Sequence, residues 1–171
     1  MTTTVNDLRL RIRALPANPR RKEVAEIAFE LEYLSLLVSP LPKDIFSLYL
    51  EVLSDPLVFS KNGIDYFISA IYNEFEKLTS DQESTLLESI FNNSKEYNNE
   101  KLRFSVGDMI ARKYPVQVAL DVFRRMWFSG EKHSQTIAQF GVDVLSLVLP
   151  KEGPERNKLR KFGLEMVQKE K

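Results

Sequence analysis

Apolar residues recur at three- and four-residue intervals in nearly every segment of this chain long enough to carry a period, and strict alternation is almost absent. That spacing predicts helices from end to end. Val5, Leu8, Ile12 and Leu15 make one stripe of a first helix. Val24, Ile27, Ala28, Leu31, Leu34 and Val38 define a long second one, which the Ser-Pro-Leu-Pro run at 39–42 ends, because proline has no amide donor and crowds the preceding turn. The next begins near Asp44, carries Ile45, Phe46, Tyr49, Val52 and Leu53, and stops at Asp55-Pro56, with a loop expected from there to Asn62-Gly63. Ile64, Phe67, Ile68, Ile71, Phe75 and Leu78 mark another helix.

Ser80 followed by Glu83 has the spacing of a capping box, opening a helix over about 81–92. A polar break follows from Asn92 to Glu100. Leu102, Val106, Met109 and Ile110 resume the pattern up to a corner at Tyr114-Pro115. Val116, Ala119, Leu120, Phe123 and Met126 form a helix ended at Ser129-Gly130, and Ile137, Phe140, Val144, Leu145 and Val148 form a long one. Residues 150–154 are a turn before a last helix holding Leu159, Phe162, Leu164 and Val167.

The alternation of longer helix, corner, shorter helix and polar break suggests an internal repeat. Phe67 to Phe75 placed over Val106 to Tyr114 matches aromatic or apolar character at four positions, and Phe104 to Met109 placed over Phe140 to Leu145 matches Phe with Phe, Val with Val and Met with Leu. Shifts of this size lie near the ~40-residue period of helical-hairpin repeats. Gly107 and Gly141 each cost about 1 kcal/mol of helix stability relative to alanine, which close approach of neighbouring helices would offset. With these matches the chain resembles the HEAT and armadillo class of helical repeats over residues 21–170, with Pro115 and Arg112 as partial matches to the HEAT pattern. The resemblance implies a single all-α domain over 1–171: a short α-solenoid of about four stacked hairpins over 21–171, with 1–20 capping the first hairpin or hanging free. An irregular helical bundle is the alternative.

Composition narrows the chemistry. With no cysteine and one histidine, His133, the chain lacks the usual zinc-ligand sets, a thiol nucleophile and a disulfide framework. The six glycines stand singly, so no phosphate-cradling loop is written in the sequence, and serine has neither its nucleophile motif nor a paired base. The expectation is a protein that is not an enzyme and uses no cofactor or metal. His133 reads as a surface or capping residue. No apolar run approaches the roughly 20 residues of a membrane span. The Thr- and Arg-rich start resembles a transit peptide superficially, but its apolar stripe also makes a helix, and a cytoplasmic protein is expected.

The chain has 24 basic and 24 acidic residues, unevenly placed: six and one over 1–22, four and fifteen over 23–100, fourteen and eight over 101–171. In a solenoid such sequence blocks become spatial blocks. The strongly acidic middle either keeps that part solvated and pairs with the basic ends, or meets a basic partner. In HEAT-like stacks the second helix of each hairpin lines the concave face. That resemblance implies a ladder of Asp44, Ser47 and Glu51, then Asp81, Thr85 and Glu88, then Gln117, Asp121 and Arg124, with Tyr49 and Asn92 beside it. Glu26 and Glu30 read as a solvated face; Met126, Trp127 and Phe128 read as core between repeats or as an interface anchor.

The resulting expectation is noncatalytic protein binding, in its concrete form an immunity-type inhibitor that neutralises a cognate bacterial toxin, such as a basic nuclease domain. A scaffold or adaptor subunit is one alternative. A HEAT-like nucleic-acid-binding or DNA-repair protein is another, using Lys101, Arg103, Arg112, Lys113, Arg124 and Arg125, although the acidic middle disfavours nucleic acid as the partner.

Overall fold

The computed structural model describes residues 2–170, and among these there are ten α-helices and no strand. They are α1 (Val5–Ala14), α2 (Arg21–Leu34), α3 (Lys43–Ser54), α4 (Pro56–Phe59), α5 (Asp65–Asn73), α6 (Ser80–Asn93), α7 (Glu100–Lys113), α8 (Val116–Phe128), α9 (Lys132–Val148) and α10 (Pro154–Glu170). Short 3-10 turns at Phe75–Lys77 and Ser94–Glu96 lead out of α5 and α6. No helix among the described residues is long and apolar enough to cross a membrane.

Two series of neighbours organise the helices. In one, α2 packs on α5, α5 on α7 and α7 on α9; in the other, α3 packs on α6, α6 on α8 and α8 on α10. The series meet through α8 and α10 against α9, and α1 lies against both α2 and α3. Their shared core includes Tyr49, Phe59, Phe67, Tyr97, Phe123 and Phe162, all fully buried. Side-chain links between helices join residues about forty apart: Arg9 to Glu51 (separation 42), Arg21 to Asp65 (44), Lys113 to Glu76 (37) and Ser94 to Ser134 (40). Phe75 meets Tyr114 edge to face at 5.1 Å, and Phe104 meets Phe140 at 4.7 Å. Both pairs are positions that the sequence registers superpose.

Gly107 and Gly141 lie where α7 and α9 come together. A Cβ on Gly107 would stand 3.0 Å from the Ile137 carbonyl oxygen, and one on Gly141 would overlap the Phe123 ring. The close approach that offsets their helix cost is therefore present.

Several element ends differ from the sequence expectation. The second helix stops at Leu34, so Val38 lies in the loop, and Leu37 is 95% exposed. Ser35 is buried there, its hydroxyl 3.1 Å from Glu32 O and 3.0 Å from Glu74 Oε2, while Lys77 Nζ donates to the carbonyls of Ser35 and Leu36. These groups take the carbonyls that a helix end leaves unpaired. The capping box belongs to Thr79 and Gln82, one residue before the expected pair, because Thr79 holds the extended backbone that a cap requires while Ser80 is already helical. The segment 56–62, expected as loop, opens with α4: Pro56 occupies its first turn and Asp55 accepts from Leu57 N. The polar break holds a buried anchor, Tyr97, whose hydroxyl donates to the Leu53 carbonyl at 2.7 Å and whose ring meets Phe59 at 4.9 Å.

The N-terminal segment forms α1, with Leu8 and Ile12 buried. Thr4 and Asp7 cap its start reciprocally, and Lys61 Nζ donates to the carbonyls of Ile12 and Leu15 at its end.

Candidate functional site

The expected ladder falls on α3, α6 and α8, which are consecutive neighbours. Asp44, Ser47, Asp81, Thr85, Glu88, Asn92, Gln117, Asp121 and Arg124 are exposed, and Glu51 is half-buried. Tyr49 is a correction: it is 0% exposed, its ring meets Phe67 at 6.5 Å, and its hydroxyl has no hydrogen-bond partner among the described residues. The reason is periodicity. Tyr49 lies one helical turn from Ile45 and Val52 and so shares their core-facing stripe.

Much of the ladder's charge is satisfied internally. Glu51 accepts from Arg9 Nε at 2.8 Å and lies 3.9 Å from Arg13. Glu88 holds Arg125 through both terminal nitrogens at 3.0 Å, a bidentate pair that keeps its carboxyl below the usual range, and the guanidinium lies 3.9 Å from the Phe91 ring centre. Arg124 pairs with Glu165 beside the Phe162 ring, and Asp121 accepts from Gln117 at 2.8 Å. Among the described residues Asp44 and Asp81 form no ion pair.

Internal pairing also takes up most of the basic cluster. Arg103 donates to the Tyr97 carbonyl, Arg112 pairs with Asp108, and Lys113 pairs with Glu76 and lies 4.4 Å from the Tyr72 ring centre. With Arg124 and Arg125 held as above, Lys101 is the member of that set with no such tie among these pairings. Basic ends pairing with the acidic middle is one of the two readings that the charge blocks allowed, and Arg11 with Glu30 at 2.8 Å and Arg21 with Asp65 at 2.8 Å extend it.

His133 is half-buried near the start of α9, and burial first, then Arg103 and Lys132, lower its pKa below the ordinary value of 6.5. The described residues contain no cluster of three or more His, Cys, Asp or Glu side chains that could hold a metal ion. Of the apolar run at the end of α8, Met126 is core, Trp127 is half-buried against the core cluster and Phe128 is exposed.

A different surface combines concavity, aromatic rings and charge. Between α2 and α5 runs a furrow of about 550 Å³. Ala25, Ala28, Ser69 and Ala70 line it with small side chains, Phe29 and Tyr66 supply rings, and Glu26, Glu30 and Glu32 outnumber Lys22. Phe29 and, one turn further on, Tyr33 are each 67% exposed. Tyr66 is steadied by Arg21, 4.8 Å from its centre, and Asn73 donates to Glu32. Ser69 and Asn73 also line a hollow of about 260 Å³ between α5 and α7 that reaches Tyr72 and Asp108. Tyr72 in turn borders a hollow of about 540 Å³ with Arg112, Leu149 and Glu155. The hollows thus share walls along α2, α5 and α7.

Sequence reasoning passed over this surface, although a signal exists. Phe29 and Tyr33 lie off the Val24, Ile27, Ala28 and Leu31 stripe, so two rings occupy the polar side of an amphipathic helix. No protein-family model, no curated protein and no solved structure matches this chain.

Proposed function

We propose that this chain is a noncatalytic protein-recognition domain, built as a short α-solenoid of four hairpins, α2/α3, α5/α6, α7/α8 and α9/α10, with α1 as its cap. The two neighbour series and the side-chain links about forty residues apart support that architecture. The observation that carries the function is the α2/α5 furrow, lined by the exposed ring of Phe29 and three glutamates, with Tyr33 exposed one turn further along α2. Exposed aromatic residues beside a concave apolar surface are what binding hot spots use, and the acidic surround steers a basic partner toward them. In its concrete form the domain is a cytoplasmic inhibitor of immunity type that covers a basic toxin domain, such as a nuclease.

The α2/α5 side is favoured over the α3/α6/α8 ladder by its exposed rings beside an apolar furrow and not by charge, since Glu30 is held by Arg11 just as the ladder's Glu51 and Glu88 are held by Arg9 and Arg125. Affinity capture from the native host at low and moderate salt tests it, comparing the wild type with a Phe29→Ala/Tyr33→Ala variant. The expected result is one stoichiometric basic protein, silenced in its own activity while bound and lost from the variant, whose melting temperature stays within about 2 °C because both rings are exposed. Retention of that partner by the variant, or recovery of nucleic acid in its place, contradicts the reading.

A further inference from the structure

We propose that the α2/α5 furrow receives one amphipathic α-helix of a basic protein, lying along the furrow with its apolar side down and its lysines or arginines against the acidic rim. This rests on the protein-recognition reading above and specifies what the partner must present.

The shape of the furrow selects a helix. On α5 its lining residues are Tyr66, Ser69, Ala70 and Asn73, spaced i, i+3, i+4 and i+7. On α2 the set Lys22, Ala25, Glu26 and Phe29 has the same spacing. Each set is a single face of its helix, so the furrow follows the helix axes for two turns, about 10 Å. A third helix brings the matching periodicity, with apolar anchors at i, i+3, i+4 and i+7. An extended segment gains its affinity from main-chain hydrogen bonds to a sheet edge, and two helices have already used their backbone groups.

Side-chain size selects what enters. Ala25, Ala28, Ser69 and Ala70 leave room for leucine-sized groups, and the rings of Phe29 and Tyr66 offer them large apolar contacts. Charge selects the flanks. Glu26 forms no ion pair among the described residues, Glu30 is held by Arg11 at 2.8 Å, and Glu32 accepts from the neutral amide of Asn73. Cations beside Glu26 and Glu32 are therefore favoured, whereas Lys22 disfavours a cation at the other end.

The test uses the full chain and a synthetic probe of about 18 residues, five turns of Leu, Ala and Lys in amphipathic order. Its comparator is the same peptide with a central block of D-residues, which keeps composition and charge but breaks the helix. The expected result is binding of the helical peptide about ten-fold more tightly than the comparator, with backbone NMR shifts concentrated at Ala25, Ala28, Ser69 and Ala70. Ser69→Trp, which fills the furrow from an exposed position, should weaken binding about ten-fold, and Asp81→Lys on α6 should leave it unchanged. Equal binding of the two peptides overturns the helix. Shifts centred elsewhere, an unaffected Ser69→Trp variant, or no binding overturn the furrow as its site. Failure of protein recognition itself is read separately, from capture that ignores Phe29 and Tyr33.

Discussion

Two buried tyrosines with opposite hydrogen-bond circumstances set out the energetics at the scale of single residues. Tyr97 donates to the Leu53 carbonyl, one of the acceptors that the end of α3 leaves without an intrahelical partner. Tyr49 carries a hydroxyl to an equally buried place and finds no partner. Burial pushes both hydroxyl pKa values up, and nearby Glu74 and Glu32 add to that for Tyr49. Removing a satisfied buried hydroxyl costs about 1 kcal/mol, whereas removing an unsatisfied one relieves a desolvation penalty. Urea denaturation should accordingly show Tyr97→Phe destabilised by about 1 kcal/mol and Tyr49→Phe unchanged or more stable. The reverse order would mean that Tyr49 has a bonded partner in solution.

His133 gives a second prediction at this scale. Burial and the charges of Arg103 and Lys132 disfavour its protonated form, so its folded pKa lies below the ordinary 6.5. The unfolded chain then binds the proton more readily, and stability falls as pH drops from about 6.5 through the folded value. The lowered carboxyls, Asp7 and Glu88, act at a more acidic window because their ordinary values are 3.8 and 4.5. Denaturation midpoints measured between about pH 7.5 and 5.5 should decline for the wild type and decline less for His133→Asn. Equal slopes would place the titration elsewhere.

Among the elements, the packing of α7, α8 and α9 turns on glycine. Gly141→Ala drives a methyl group into the Phe123 ring and should cost about 1–3 kcal/mol, the usual range for overpacking. Gly163, inside α10, has open space where a Cβ would go, so Gly163→Ala should gain about 1 kcal/mol of helix propensity. Thermal or chemical denaturation of the pair separates a packing glycine from an idle one. Similar effects of both changes would remove the close-approach account.

The helices themselves were legible because their apolar periodicity is strong, and the corners at Pro40, Pro56 and Pro115 were legible because proline leaves little choice. Ends set by tertiary partners were not. The stop at Leu34 depends on Lys77 and Glu74, some forty residues away, and the hidden anchor Tyr97 lies in a stretch whose composition reads as loop. Of the expected site, the exposed polar positions on α3, α6 and α8 could be read from spacing, except Tyr49. The ion pairs of Glu51 with α1, of Glu88 with Arg125 on α8 and of Arg124 with α10 could not, because pairing requires knowing which faces meet. The furrow was missed for a related reason: a groove belongs to two helices at once, and only the misplaced rings of Phe29 and Tyr33 hinted at it.

For the whole molecule, part of the uneven charge of the sequence is folded back on itself. Arginines of α1 meet Glu30 and Glu51, and basic side chains of α7 and α8 meet Glu76 and Glu88. Exposed pairs of this kind contribute about 0–1 kcal/mol each, so their main effect is to decide which acidic surface stays available. Glu26 and Glu32 beside Phe29 form no ion pair among the described residues, and neither do Asp44 and Asp81 on the ladder, so it is the exposed rings of Phe29 and Tyr33 that set the α2/α5 side apart. Hydrogen exchange of the backbone, compared for the free chain and its complex with the captured partner, tests this most directly. Slowed exchange is expected in 21–34 and 65–73, with α3, α6 and α8 unchanged. Slowed exchange confined to α3, α6 and α8 would contradict it and return recognition to the ladder.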